Sequence, residues 1–137
     1  MKRFFLSSGL LSCLLLISSC ATYHITTQSL VQQFADTRKE EKRSLILAFP
    51  IFLPGKVTGN NLREIKVLDE NENVKIIPVT NHTGVRIYKK NGSKTTFYFD
   101  TLLIQDSTIN GAQSHFLGGL YIHPINLNDI DKIELQR

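Results

Sequence analysis

Apolar and polar positions change rhythm several times along the chain, and each rhythm predicts a different element. Phe4 through Ile17 is almost wholly apolar, relieved only by Ser7, Ser8, Gly9 and Ser12. That run is too short to cross about 30 Å of hydrocarbon as a permanent helix. In "ITTQSLVQQFADT", Leu30, Val31 and Phe34 follow helical spacing, and Thr27 is a capping type, so a short helix is expected from Gln28 to Ala35. Six charged residues of both signs follow, Arg38 to Arg43, with the pattern of a solvated linker or helix end; contact with anionic headgroups is the alternative, against which the central Glu40 and Glu41 argue.

From Ser44 the rhythm becomes that of strands. "SLILAFPIFLPG" is continuously apolar, interrupted by Pro50 and closed by Pro54-Gly55. Proline stops a helix and confines a strand to an edge or its ends, so Leu45–Phe49 is expected as a buried strand, continued after a bend by Ile51–Leu53. A loop dipping into lipid or a partner is the alternative. "LREIKVLDE" alternates through Ile65 and Val67, "NEN" turns the chain and "VKIIPVT" returns. "GVRIYKK", "NGS" and "KTTFYFDTLLIQ" predict a second hairpin, with Asn91-Gly92 supplying the positive φ of a tight turn. Ser107 to Asn110 adds a short strand before the glycine-rich "GAQSHFLGG".

In the closing stretch, "LYIHPINLNDIDKIELQR", Leu127, Ile130 and Ile133 recur at threes and Ile133 and Leu135 then alternate. This predicts one 3₁₀ turn followed by the last strand. The fold class is therefore mainly β: an antiparallel, strongly bent sheet or small barrel of about six to eight short strands, with one short N-terminal helix. A strand, a 3₁₀ turn and a closing strand resemble the way small Src-homology-type barrels finish.

The N-terminus adds an address. Lys2 and Arg3 precede the apolar run, and Ile17-Ser18-Ser19-Cys20 ends it, a pattern that resembles the lipobox of bacterial lipoproteins. In that family the cysteine thiol takes a diacylglycerol and the chain is cut just before it. The resemblance implies a signal peptide over 1–19, lipid attachment at Cys20, an anchor, helix and charged linker over 20–43, and a β domain over 44–137. Each buried CH₂ contributes about 0.8 kcal/mol, so two or three acyl chains anchor firmly. The ending after the glycine-rich loop also resembles small uncharacterised lipoproteins of diderm bacteria with a small C-terminal barrel-like domain, over residues 62–137. In lipoprotein sorting, aspartate beside the cysteine favours the inner membrane. Ala21 stands there, and the first acid is Asp36, so the resemblance implies the outer membrane, on its periplasmic face.

Composition then removes several chemistries. With Cys13 in the signal and Cys20 lipidated, no thiol remains for a nucleophile, a thiolate metal site or a disulfide. Without Lys2 and Arg3, 14 basic side chains face 12 acidic ones, so the formal charge of +4 overstates the basicity and gives no nucleic-acid signal.

Candidate chemistry is sparse. His24, His82, His115 and His123 form no HExxH pattern; His115 and His123 could meet across the final loop, with Asp106 or Asp129 completing a weak metal site. Ser114 beside His115 lacks a GxSxG elbow. Asp100 and Asp106 are readable as an acid–base pair but better as strand-end residues. Tyr88, Phe97 and Phe99 interleave with Lys89, Lys90 and Lys94, as in base-stacking sheets, yet the phenylalanines suit a core face and the lysines a hairpin tip. Asp100-Thr101-Leu102 and Asp106-Ser107-Thr108 resemble an O-glycosylation sequon of some diderm bacteria, with Thr101 and Ser107 as acceptors. The expectation is a non-enzymatic envelope lipoprotein that needs no cofactor and docks to an envelope protein; the alternative is a small carrier barrel for a lipid or glycan fragment, its opening lined by "SLILAFPIFLP" and "HFLGG".

Overall fold

Alternation of buried and exposed side chains builds most of this domain. The computed structural model describes residues 21–48, 51–114 and 124–137, with backbone alone at 44–48 and 52. In chain order the elements are β1 (Thr22–Ile25), α1 (Thr27–Phe34), β2 (Lys39–Ala48), β3 (Ile51–Asn60), β4 (Glu64–Leu68), β5 (Val74–Pro78), β6 (Gly84–Lys89), β7 (Lys94–Tyr98), β8 (Leu103–Gln105), β9 (Thr108–Asn110), β10 (Ile125–Asn126) and β11 (Ile130–Gln136). Single 3₁₀ turns occupy Phe99–Thr101 and Leu127–Asp129.

The fold is mainly β, and every strand pair is antiparallel. The main sheet has six strands in the order β5-β4-β1-β11-β6-β7; β10-β9-β8 form a three-stranded sheet and β2-β3 a two-stranded ribbon. The main sheet ends at β5 and β7 and does not close, so of the two expected forms it is the bent open sheet. The 3₁₀ turn before the last strand lies where the spacing of Leu127 and Ile130 put it, capped by the Asn126 side chain, which accepts from the Asn128 N–H.

One face of the main sheet is the core. Ile133 and Leu135 of β11 lie between Ile25 and Tyr23 of β1 and Ile87 and Val85 of β6, and Phe97, Ile65, Val67 and Ile77 extend the layer. Full burial of each such side chain contributes roughly 1.5–3 kcal/mol. α1 covers this face with Leu30 and Phe34, and the Phe34 ring meets Phe99 at 5.6 Å between centroids. Its cap is Thr26, one residue before the expected Thr27, and accepts from the Ser29 N–H at 3.1 Å. Val31 is left exposed, because one residue advances a helix by about 100° and carries it off the face of Leu30.

The helix also repairs the sheet. β1 pairs with β4 only at His24↔Leu68, since the chain departs after Ile25 to begin α1. Beside that gap the Gln33 carboxamide donates to the Lys66 carbonyl at 3.0 Å and accepts from the Lys66 N–H at 2.7 Å, as a neighbouring strand would. Gln33→Leu should lower stability by about 1–2 kcal/mol. The accompanying sign is faster hydrogen exchange at the Lys66 amide; unchanged exchange would mean the carboxamide is not acting as a strand surrogate.

Several expectations change at the ribbon. Arg38 to Arg43 is no linker: Lys39 onward belongs to β2 and pairs with β3 from Asn60↔Lys39 to Lys56↔Arg43. Mixed charges do not prevent strand formation here, because Lys39, Glu40, Glu41 and Arg43 stay exposed while the burial at the ribbon base falls on β3, at Val57 and Asn60. Leu45 to Ala48 and Ile51 to Leu53 are opposite arms of one hairpin, with Ala48↔Ile51 as its last described row, and β3 continues through Pro54-Gly55 to Asn60. Proline is accommodated because a strand in a two-stranded ribbon has an outward edge needing no donor. The proposed boundary at residue 44 therefore falls inside a strand, and β1, assigned to the anchor segment, is central to the main sheet.

Turn chemistry also differs in detail. At the β6–β7 hairpin only Gly92 has positive φ, 83°, and its N–H donates to the Lys89 carbonyl. "KTTFYFDTLLIQ" is not one strand: it breaks at Phe99–Thr101 and re-enters a different sheet as β8. The β8–β9 turn places Asp106 and Ser107 at φ 47° and 62°, a two-residue turn of the type usually marked by Asn-Gly.

The register defines two ends of the main sheet. Thr22, Gln136, Gly84 and Tyr98 lie in one row across β1, β11, β6 and β7. The lysine-bearing β6–β7 turn lies at the other end. β7 leaves the Thr22 end into Phe99–Thr101, and there the ribbon is fastened. The buried Asn60 side chain donates to the carbonyls of Phe99 at 2.8 Å and Leu102 at 3.0 Å and accepts from the Leu62 N–H at 3.0 Å. Asn61 accepts from the Arg38 N–H at 2.9 Å.

Candidate functional site

The face of the main sheet opposite the core carries a polar constellation centred on a buried carboxylate. Because side chains alternate, Lys132, Glu134 and Gln136 of β11 point away from Ile133 and Leu135. Glu134 is opposite both His24 of β1 and Arg86 of β6, and Lys132 is opposite Tyr88. The Tyr88 hydroxyl donates to Glu134 Oε2 at 2.8 Å, and Lys132 Nζ lies 2.6 Å from Oε1. Lys132 Nζ also sits 5.7 Å from the Tyr88 ring centre, a cation–π distance. Arg86 donates to Gln136 Oε1 at 3.2 Å.

Glu134 is the buried member, its side chain 11% exposed. Burial pushes its carboxyl upward, but the hydrogen bonds from Lys132 and Tyr88, with the Lys132 and His24 charges, outweigh it and hold the carboxyl below its ordinary range. The Lys132 ammonium is correspondingly raised, first by its hydrogen bond to Glu134. A carboxyl depressed by folding adds stability above its unfolded pKa of about 4.3, and that stability is lost as pH falls through the lower folded value. Glu134→Gln should therefore flatten the fall in Tm on acidification from neutral pH to below 4. An acid limb of unchanged steepness would place the acid sensitivity elsewhere.

Beside His24, an apolar cleft of about 220 Å³ is lined by Thr26, Ser29, Leu68 and Val74. It is below the 300–1,000 Å³ of usual small-molecule sites. His24 Nδ1 is buried and makes no hydrogen bond among the described residues. The cluster is charge-compensated: its one buried acid is held ionised by a cation and a hydroxyl.

A second polar group fastens the ribbon. Lys42 reaches Asp100 at 3.4 Å, and Asp100 is buried in the 3₁₀ turn. The Thr101 hydroxyl donates to the Tyr98 carbonyl and accepts from the Ala112 N–H, each at 2.8 Å. With its hydroxyl so engaged at 2% exposure, Thr101 has no room for a sugar in the folded domain. Ser107, the other sequon acceptor, is exposed in the β8–β9 turn.

The remaining candidates disperse. Asp106 is exposed in that same turn, away from the ribbon base that holds Asp100, and Asp129 is exposed at the last 3₁₀ turn, where its carbonyl accepts from the Lys90 N–H. Phe97 and Phe99 are buried and offer no stacking surface, whereas Tyr88 turns its hydroxyl to Glu134. His82 is exposed in the turn before β6. Cys20, His115 and His123 lie outside the described residues, as does most of "GAQSHFLGG"; among the described residues no group of three His, Cys, Asp or Glu gathers as for a metal. Sequence reasoning missed Glu134 because it is a polar position in an alternating strand. The only available signal was three potential partners on the neighbouring strands, which needs the strand order to be known. Asn60 was missed because "TGNN" reads as a turn.

Among the described residues no helix is long and apolar enough to cross a membrane. Comparison with protein-family models, with curated proteins and with solved structures finds no match to this chain.

Proposed function

We propose that this protein is a lipid-anchored, non-enzymatic accessory module of a diderm cell envelope, held at the periplasmic face of the outer membrane through Cys20 and docking to an envelope protein. The observation that carries this reading is the order Ile17-Ser18-Ser19-Cys20 followed almost at once by structure: β1, in the middle of the main sheet, begins at Thr22. A lipid on Cys20 then holds the domain directly against the bilayer, with its orientation limited by a one-residue spacer. The outer-face cluster suits a contact surface, since Glu134, Lys132 and Tyr88 present compensated charge on a rigid sheet. Cys20→Ala should abolish palmitate labelling in cells and remove the protein from the diacylglycerol-dependent membrane fraction. Retained labelling would refute the anchor, and crosslinking of the native lipidated form should recover a protein that the Cys20→Ala form does not.

A further inference from the structure

The main sheet ends in two strands that differ in what they offer. β7 carries Lys94, Thr95 and Thr96, and the outward N–H of its Tyr98 already donates to the Ala112 carbonyl. β5 has no strand beyond it among the described residues, and it carries Val74 and Ile76, 67% and 60% exposed. These are the two most exposed large apolar side chains among the described residues. With Pro78 they alternate against buried Ile77 and so stand on the face away from the core. Half-buried Leu68, opposite Val74, prolongs this strip toward His24.

The hydrogen-bond phase of the β4–β5 hairpin decides which backbone groups face the open edge. The Asp69 N–H donates to the Asn73 carbonyl, and the Val79 N–H donates to the Arg63 carbonyl. In an antiparallel pair such bonded rows alternate with rows whose polar groups point outward. Ile65↔Ile77 and Val67↔Lys75 are therefore bonded rows, and Lys66↔Ile76 and Leu68↔Val74 are outward rows. Gln33 reveals the same phase, because it bonds the Lys66 N–H and carbonyl on the side of β4 away from β5. The outward groups of β5 are then the N–H and C=O of Val74 and Ile76 and the carbonyl of Pro78, which has no N–H. An apolar edge with unpaired backbone groups is a template for another strand.

We propose that β5 pairs antiparallel with β5 of a second copy of this chain, about a two-fold axis at Ile76, joining the two main sheets into one. Ile76 of each copy exchanges N–H···O=C bonds with Ile76 of the other, and each Val74 N–H donates to the Pro78 carbonyl of the other. The missing proline donor costs one bond at each end and limits the pairing to these rows. The neighbouring register, with its axis at Lys75, also pairs Val74 with Ile76, but it sets two lysines directly opposite each other, which is destabilising. The axis at Ile76 places Lys75 against Ile77 instead and gathers the Val74, Ile76 and Pro78 side chains of both copies on one face. Antiparallel pairing also carries the acidic β4–β5 turn, with Asp69, Glu70 and Glu72, toward the end of the other copy that bears Arg63 and His82. A parallel pairing would bring the two acidic turns together. The contact needs no lipid and so stands apart from the anchored reading.

The test uses the full chain expressed in a diderm host. Ile76→Cys, with Thr96→Cys on the other edge as control, is oxidised with copper phenanthroline; the parent chain, whose thiols are Cys13 and Cys20, sets the background. Bonded partners across an antiparallel pair have Cα atoms about 5.5 Å apart, within disulfide reach. The expected result is a band of twice the chain mass for Ile76→Cys alone, lost on reduction. Dimer no greater than that of Thr96→Cys overturns the proposal. So does stronger crosslinking through Lys75→Cys, which puts that residue on the axis, or crosslinking to a different protein. In detergent, native mass spectrometry of the parent chain should show a dimer. Ile76→Lys sets like charges opposite each other and should raise the half-dissociation concentration by roughly tenfold or more, with the circular dichroism unchanged. A parent chain that stays monomeric, or an Ile76→Lys dimer of undiminished affinity, overturns the pairing. A parent chain that dimerises without the mass of a lipid supports the pairing and refutes only the anchor.

Discussion

Asn60→Ala is expected to be among the most damaging single substitutions in this domain, lowering stability by about 3–5 kcal/mol in urea titration. The side chain is 1% exposed and satisfies three backbone groups: the Phe99 and Leu102 carbonyls and the Leu62 N–H. Removing it strands the two buried carbonyls and the part-buried N–H, and each orphaned group costs about 1–3 kcal/mol before relaxation. Total stabilities of about 5–15 kcal/mol leave little margin. Asn60→Asp tests the same site by charge. A carboxylate keeps the acceptor for Leu62 but sets its other oxygen, in the place of Nδ2, against two carbonyls, so at neutral pH it should be at least as damaging as alanine. Its folded-state pKa must rise, and stability should return as pH falls and the carboxyl becomes a donor. An Asn60→Asp variant indifferent to pH would show that the two carbonyl contacts contribute little.

Gly59→Ala should follow closely, at about 3 kcal/mol. A Cβ there overlaps the Asp100 carbonyl oxygen and comes within 3.2 Å of Asp100 C and 3.3 Å of Thr101 Cα. These are backbone atoms of the turn that holds the ribbon, and none can step aside without moving it. Gly111→Ala is the control: its Cβ meets Leu102 Cδ2 at 3.0 Å and Phe97 Cδ1 at 3.1 Å, which yield by small rotations, and Phe97 Cβ at 3.2 Å, which needs a shift of a few tenths of an ångström, so the cost should be nearer 1 kcal/mol. Limited trypsin digestion gives a second readout. Gly59→Ala should expose Lys42, Arg43 and Lys56 to cleavage while the main sheet resists, and equal protection of all three would mean the base tolerates the methyl.

Local pattern was a sound guide wherever a strand had one wet face. Ile65 with Val67 and Ile133 with Leu135 alternate, and both pairs are buried. The helix was legible because Leu30 and Phe34 are four apart, and the last 3₁₀ turn because Leu127 and Ile130 are three apart. The reading failed where burial is not periodic. Lys39 to Arg43 form a strand with no apolar side chain of its own, the burial at that level being supplied by Val57 on β3, so no alternation announced it. Phe99–Thr101 ended a strand without glycine or proline, because the break is imposed by Asn60 and the Ala112 N–H from distant parts of the chain.

The candidate site divides the same way. Short-range sequence determined the mainly β character and the inward face of each regular strand. These depend on residue type at fixed spacing, which a chain carries before it folds. Tertiary structure alone decided that β1 and β11, 105 or more residues apart, lie side by side at the centre of the sheet. From that pairing follows His24 beside Glu134, and from the pairing of β11 with β6 the compensation of that buried carboxylate by Lys132 and Tyr88. Strand order is chosen by the summed burial of a whole sheet, a sum over distant pairs that no local window of sequence contains.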